Sequence, residues 1–241
     1  MDQHRYLSIL TPELVARVVP AAYELFMTER RGSIAIIPSV DRSDESRVES
    51  IIRAHGRPII AFAGRMGSGK DHACDYFCER FGAIKLHIFE SGLRRIGLFY
   101  RRAIDKSIDR SVLQAVGELG RRIRPQFWLQ MTFEEDLLRI LERDRPVVIT
   151  GVRYKTDVRY LATLGVRTFI IRRPGLVLAG TPEESDPSER DLDDYHECAE
   201  LINRGTVGDF DALLAETARD ISLSEVVPVT DTGRECPRIF P

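Results

Sequence analysis

The chain has 241 residues, of which 43% are hydrophobic and 30% are charged, and its formal net charge is −2. This length and composition suit one large domain, or one α/β domain with an extension. No apolar run approaches the length that crosses a membrane and no signal peptide opens the chain, so we expect a cytoplasmic protein without a membrane partner. The cysteines at positions 74, 78, 198 and 236 do not suggest a disulfide framework and fit a reducing compartment.

Residues 1–56 are predicted to be an N-terminal extension made of a helix, a short strand and a second helix. Thr11-Pro12-Glu13 has the pattern of a helix start, the segment 33–37 predicts the strand, and residues 43–55 predict the second helix. Recognisable chemistry begins only after this extension. Residues 57–241 are therefore predicted to form the functional domain.

The strongest motif is Gly64-Arg65-Met66-Gly67-Ser68-Gly69-Lys70, which has the spacing of a P-loop. The apolar segment 59–63 precedes it as a predicted buried strand, and the segment 71–81 follows it as a predicted helix. The glycines let backbone N–H groups face a phosphate, while the helix N-terminus and the lysine supply positive charge. We therefore predict an ATP site formed by Gly64, Arg65, Met66, Gly67, Ser68, Gly69, Lys70, Asp71 and His72.

Asp71 stands where a P-loop usually has Ser or Thr, whose hydroxyl binds Mg²⁺. A carboxylate is a hard oxygen ligand, so Asp71 could hold Mg²⁺ directly or through water. Aspartate is equally favoured at a helix start, where it would cap the helix instead. Both interpretations stay open, and we predict Mg²⁺ as the cofactor with Asp71 as its candidate ligand. A zinc site at His72, Cys74 and Cys78 is less favoured, because buried thiols are the simpler explanation.

The rest of the domain alternates predicted strands and helices. Strands are predicted at 83–88, 146–150 and 166–171, helices at 111–122, 126–143, 155–164 and 209–219, and an edge strand at 226–229. This alternation is typical of an α/β fold in which helices cover both faces of a parallel sheet. The phosphate site would then lie at the carboxyl ends of the strands.

Residues 85–124 hold ten basic and four acidic residues, so this stretch is positive in a chain that is negative overall. A solvated helical face would account for such a stretch. Because it lies where a P-loop kinase meets its acceptor, it also favours a polyanionic acceptor.

Several motifs between about residues 59 and 210 together resemble the deoxynucleoside monophosphate kinase family of tailed phages, whose fold is similar to that of adenylate kinase. Gly69-Lys70-Asp71 is similar to that family's version of the P-loop end. The other similar segments are 113–121 followed by Trp128, 147–153, 171–175, Ser188-Glu189 and 202–206. The resemblance implies a P-loop kinase fold with a parallel sheet flanked by helices, and the host cytoplasm as the location if a phage encodes the protein.

The chain departs from the family pattern at three places. Gly151 stands where the family has an aspartate at a strand end, and Asp186 replaces the histidine that precedes Ser-Glu. Residues 91–94 occupy the place of an Asp-Pro-Leu-Lys element. The phosphate-donor half of the family's site is therefore better retained than the acceptor half.

The resemblance and the chemistry of phosphoryl transfer assign roles to further residues. Lys70 should contact the outer phosphates, and Arg153, Arg172 and Arg173 are candidates for the transferred phosphate because guanidinium groups bind it bidentately. Asn203 is expected near the nucleotide base. For Arg173, a solvated surface position is an equally good interpretation.

The acceptor side is assigned to Arg94, Gln114, Arg121 and Trp128, although a tryptophan on a helix is more often part of the core. A monophosphate acceptor already carries an anionic oxygen and needs no general base. A hydroxyl acceptor would benefit from a carboxylate, for which Glu90 and Asp157 are the candidates.

Three functions follow. The first is a deoxynucleoside monophosphate kinase. The second is a phage kinase that phosphorylates the hydroxymethyl group of 5-hydroxymethyluracil within DNA, favoured by the basic stretch, by Gly151 and by the N-terminal extension. The third is a P-loop ATPase that is not a kinase, disfavoured because no aspartate ends the strand 146–150. The expected partners are ATP and either the monophosphate or modified DNA, and association into a homodimer is left open.

Overall fold

The computed structural model describes residues 42–94, 110–176 and 186–223. The chain divides into two compact units, Met1–Asp44 and Glu45–Pro241, and nearly all described residues belong to the second. The helix predicted near Thr11, the strand predicted at 33–37 and the edge strand predicted at 226–229 lie outside the described residues.

The described residues form an alternating series of helices and parallel strands. In chain order these elements are α1 (Arg42–Ala54), β1 (Ile59–Ala63), α2 (Lys70–Phe81), β2 (Ile84–His87), α3 (Arg110–Ile123), α4 (Phe127–Thr132), a π-helical turn (Phe133–Leu137), α5 (Leu138–Leu141), β3 (Val147–Val152), α6 (Lys155–Thr163), β4 (Arg167–Arg172), α7 (Pro187–Arg190), β5 (Ala199–Ile202) and α8 (Val207–Asp220).

The five strands form one all-parallel sheet in the order β2-β3-β1-β4-β5. β1 is central and pairs with two strands, so that Ile60 lies opposite Val148 on one side and Arg167 on the other. After β1 the chain forms β2 and β3 on one side of it and then crosses to form β4 and β5 on the other side. The strand order therefore reverses at β1. The predicted α/β fold with a parallel sheet is confirmed.

Helices pack on both faces of the sheet, and β1 shows why. All five of its residues are buried, and their side chains alternate between two hydrophobic cores. Ala61 and Ala63 belong to the core that α1 joins through Val48 and Ile52. Phe62 belongs to the opposite core, where its ring lies 5.3 Å from that of Phe77 on α2.

β5 and α7 are among the short elements that the sequence missed. β5 has only four residues at the sheet edge, and its pattern of burial is weak. α7 is a single turn that Asp186 caps by accepting the Ser188 N–H at 2.9 Å. The single helix predicted at 126–143 is continuous over α4, the π-helical turn and α5, and the π-helical turn is the part that the sequence did not predict. Within the part of the chain that is described, no helix combines the length and apolarity needed to cross a bilayer.

Candidate functional site

The glycine-rich loop leaves the carboxyl end of β1 at the point where strand order reverses, which is where ligands bind in open α/β sheets. Gly69 has a φ of 109°, and a Cβ there would lie 2.7 Å from the Asn203 side-chain nitrogen. That amide donates to the Ser68 carbonyl at 2.8 Å. The loop therefore requires glycine at this position and is fixed to the turn that follows β5.

Lys70 is the first residue of α2 and is only 5% exposed. Its ammonium group donates to the Arg65 carbonyl across the loop, at 3.2 Å. Burial, together with the nearby Arg153, lowers the pKa of Lys70 to about 8. A buried ammonium whose charge is poorly compensated is suited to bind an anion, which would restore its pKa.

Asp71 lies beside Lys70 and faces the neighbouring strands. Its carboxylate accepts the Thr150 hydroxyl at 3.2 Å and lies 3.9 Å from the Lys85 ammonium. Partial desolvation alone would raise the pKa of Asp71, but Lys70 and Lys85 outweigh it and hold the pKa below its ordinary value. The N-cap of α2 is Gly69, with no side-chain capping bond, so Asp71 is an acidic residue of the first turn and not the cap of this helix.

Arg153 follows β3 and lies near Lys70. Its guanidinium group pairs with Glu189, a residue of α7 that is 2% exposed. The second oxygen of the same carboxylate accepts the Met66 N–H at 2.5 Å. Glu189 thus joins the loop to Arg153, a role that sequence reasoning missed although Ser188-Glu189 was part of a recognised motif.

The two arginines at the end of β4 differ. Arg172 donates to the carbonyls of Leu192 and Tyr195 and pairs with Glu200 at 2.8 Å, so it fixes the segment before β5. Arg173 is exposed and donates to the Gly67 carbonyl at 3.3 Å. Of this pair, only Arg173 directly contacts the loop.

A pocket of about 470 Å³ extends from the loop along the ends of β4 and β5. This volume lies in the range of small-molecule sites. Ser68 forms part of its wall, and the buried hydroxyl of Ser68 has no hydrogen-bond partner among the described residues. Other lining residues are Ile170, Pro174, Leu176, Ile202 and Arg204. Asn203, predicted near a base, lies beside this pocket.

The arginines assigned to the acceptor are both paired with buried carboxylates. Arg121 forms two hydrogen bonds with Asp157, at 3.1 and 2.8 Å, and its guanidinium lies 3.7 Å from the centre of the Tyr154 ring. Arg94 forms two with Asp136, at 3.0 and 2.9 Å, and a third with Glu135. Asp157, a candidate general base, is therefore occupied by Arg121.

The other residues assigned to the acceptor side are dispersed. Trp128 is buried, donates to the Gly117 carbonyl at 3.0 Å and packs edge-on against Phe89, which agrees with a core position. Gln114 is exposed and donates to Asp186. Glu90 is half-buried at the start of the helical residues 90–94 and lies near Arg94.

His87 is a further neighbour of the site that the sequence did not indicate. Gly151 has a φ of 86°, and a Cβ there would lie 2.8 Å from His87 Nε2. His87 Nδ1 accepts the Phe89 N–H at 3.1 Å, which fixes the ring in this place. The imidazole therefore occupies the space that an aspartate at position 151 would need.

His72 and the cysteines of α2 lie apart from this arrangement. His72 contacts Asp211 of α8 at 2.6 Å, while Cys74 and Cys78 are buried in the core. Burial raises the pKa of the Cys74 thiol to about 12, so it stays protonated. Among the described residues, no three His, Cys, Asp or Glu side chains are grouped as metal ligands.

The fold and the site define an α/β protein whose parallel sheet carries a glycine-rich loop, a buried lysine and an arginine at the carboxyl ends of its strands. The chain matches no protein-family model. It is 97% identical over 241 residues to "Uncharacterized protein ORF76" of Ictalurid herpesvirus 1 (strain Auburn), with all of both chains covered. It is 43% identical over 212 residues to "Uncharacterized protein ORF77" of the same virus, covering 86% of this chain and 92% of the relative. The chain therefore belongs to the family that these two herpesvirus proteins represent.

Proposed function

We propose that this protein is an ATP-dependent phosphotransferase of the P-loop kinase class that acts on a deoxynucleotide, with a deoxynucleoside monophosphate as the first candidate acceptor. The observation that carries this proposal is the buried Lys70 behind a glycine-rich loop at the end of the central strand. A polyphosphate is the ligand that such a loop and lysine suit best. The choice of a deoxynucleotide as the acceptor rests on the motifs that resemble the phage kinases.

Phosphoryl transfer depends mainly on positioning and on neutralising charge. In this proposal the N–H groups of residues 67–70 hold the β-phosphate and Lys70 contacts the β- and γ-phosphates. Arg153 contacts the transferred group, and the base of ATP enters the pocket of about 470 Å³ beyond the loop. The loop, Lys70, Arg153 and the pocket all lie at the carboxyl ends of the strands.

The residues present fit a Mg²⁺ ion at Asp71. The lowered pKa of this carboxylate keeps it ionised at neutral pH, and the Thr150 hydroxyl beside it is a second hard oxygen. When bound, Mg²⁺ would neutralise charge on the β- and γ-phosphates. Asp71 would hold the ion directly or through water.

The Asp71→Asn variant is expected to require a higher Mg²⁺ concentration for half-maximal activity, because an amide binds the ion more weakly than a carboxylate. The measurement is a titration of kinase activity with MgCl₂ at fixed ATP. Asp75→Asn is the matched control, since Asp75 also pairs with Lys85, at 2.8 Å, one helical turn away. An unchanged Mg²⁺ profile with a lower melting temperature would favour a structural role at the helix start instead.

A hydroxymethyl group within DNA is the second candidate acceptor. It is favoured by the pairing of Arg94 and Arg121 with buried carboxylates, because arginines so neutralised are poorly suited to a free monophosphate. An ATPase that is not a kinase is disfavoured, because Gly151 and the adjoining His87 leave no aspartate at the end of β3.

An assay with radiolabelled ATP that offers free deoxynucleoside monophosphates beside plain and hydroxymethyluracil-containing DNA distinguishes these acceptors. With DNA as the acceptor, replacing Arg101 and Arg102 by alanine should weaken DNA binding and reduce its salt dependence by a slope of about one per lost phosphate contact. With a monophosphate as the acceptor, the same change should leave the KM for the nucleotide nearly unaltered. Both arginines lie outside the described residues. Transfer to neither acceptor by a protein that hydrolyses ATP would contradict the kinase assignment.

A further inference from the structure

One buried carboxylate, that of Glu189, connects two parts of the proposed phosphate site that are distant in sequence. One oxygen pairs with the Arg153 guanidinium after β3, and the other accepts the Met66 N–H of the glycine-rich loop at 2.5 Å. The side chain of Glu189 is 1% exposed. Moving the loop away would therefore remove a hydrogen bond from the buried carboxylate, and moving Arg153 away would leave its charge without a partner.

Arg153 keeps most of its hydrogen-bonding capacity in this arrangement. A guanidinium group has five N–H donors, and the contact with Glu189 uses one nitrogen, Nη1. Its remaining side-chain donors have no acceptor among the described residues, and the Arg153 side chain is 26% exposed. Glu189 thus occupies one side of the guanidinium group and leaves the other available.

The segment around Glu189 is attached to the same region at further points. Asp193 pairs bidentately with Arg65 of the loop. Asp191 accepts the Lys155 N–H at 2.6 Å, and Asp194 contacts the Lys155 ammonium at 2.7 Å. These contacts hold residues 189–194 against the loop and the start of α6, but only Glu189 contacts Arg153.

We propose that Glu189 is a positioning residue that holds Arg153 beside the glycine-rich loop, so that the free donors of Arg153 meet the outermost phosphate of a bound triphosphate. This inference rests on the proposed function, since it assumes that the loop binds ATP. The proposal also predicts the direction in which Glu189 changes the affinity for ATP. A carboxylate that only repelled or blocked the phosphates would weaken ATP binding, whereas one that positions Arg153 strengthens it.

Binding of Mg²⁺-ATP and Mg²⁺-ADP to the full chain, measured by calorimetry, tests the proposal without knowledge of the acceptor. Glu189→Gln keeps the size of the side chain and an acceptor for the Met66 N–H, but loses the charge that orients Arg153. We expect the affinity for ATP to fall about tenfold and the affinity for ADP to change less than about twofold. Asp194→Asn is the matched control in the same segment and should leave both affinities unchanged.

A double-mutant cycle separates positioning from a general structural effect. Arg153→Ala should lower the preference for ATP over ADP, and adding Glu189→Gln to it should lower that preference no further. If Glu189→Gln fails to fold, Arg153→Lys gives the same readout, because lysine still compensates the buried carboxylate but lacks the planar fork. We expect that variant to lose the preference for ATP as well.

Three results would overturn the proposal. These are tighter ATP binding by Glu189→Gln, equal losses of ATP and ADP affinity, and an unchanged ATP preference in Arg153→Lys. Each of them leaves intact the assignment of the glycine-rich loop and Lys70 as the ATP site, because the wild-type protein still binds ATP. Absence of ATP binding by the wild-type protein would instead overturn the proposed function and this inference with it.

Discussion

Replacing Lys70 by alanine is expected to lower the kcat of phosphoryl transfer at least about 100-fold, the scale of losing one preorganised charge contact in an active site. The lysine is buried, so no neighbouring flexible side chain or bulk cation can readily take its place. The measurement is steady-state turnover with saturating ATP and Mg²⁺.

Lys155→Ala is the matched control for this experiment. Lys155 is also the first residue of a helix beside the site, but its ammonium group pairs with the exposed Asp194. We expect its removal to change kcat by less than about threefold, as for other exposed ion pairs. Near-normal turnover in Lys70→Ala would exclude the assignment of the glycine-rich loop as the ATP site.

The second large effect concerns stability. Arg121→Ala is expected to lower the free energy of unfolding by about 3–5 kcal/mol, because it leaves the buried Asp157 carboxylate without its partner. Asp157 is only 1% exposed and receives two hydrogen bonds from this arginine. The variant also loses the contact between the guanidinium group and the Tyr154 ring.

Urea denaturation of Arg121→Ala and Arg122→Ala provides the comparison. Arg122 is next in sequence, but it is exposed and pairs with Glu118 one turn away, so its removal should cost less than about 1 kcal/mol. Equal midpoints for the two variants would contradict the structural role of the buried pair. A large loss for Arg121→Ala also means that a raised KM in this variant cannot by itself identify an acceptor-binding residue.

The sequence predicted best those parts of the fold that local pattern determines. β1 is an unbroken apolar run, the glycines of the loop follow it, and α2 begins directly at Lys70, so this unit could be located almost to the residue. β5 could not be predicted in the same way. Its four residues include Glu200 and depend on pairing with β4 rather than on a hydrophobic pattern of their own.

The candidate site was less predictable, because its charges are matched by residues far away in the chain. The sequence analysis assigns Arg94 and Arg121 to the acceptor, yet each is paired with a carboxylate about 40 residues further on. Arg153 and Glu189 are joined in the same way. Periodicity and motif spacing report neighbours along one element, whereas these pairs are created only when separate elements are brought together.

The π-helical turn at Phe133–Leu137 carries the two carboxylates that bind Arg94. It is wider than an α-helical turn and resembles a helix with one inserted residue. Within it, the consecutive residues Glu135 and Asp136 both reach the same guanidinium group. A regular α-helix with the same number of residues would rotate everything beyond this point by about 100° more relative to α4, and the wide turn avoids that rotation. The π-helical turn therefore lets the chain hold one extra residue while Trp128 and Asp136 are both buried.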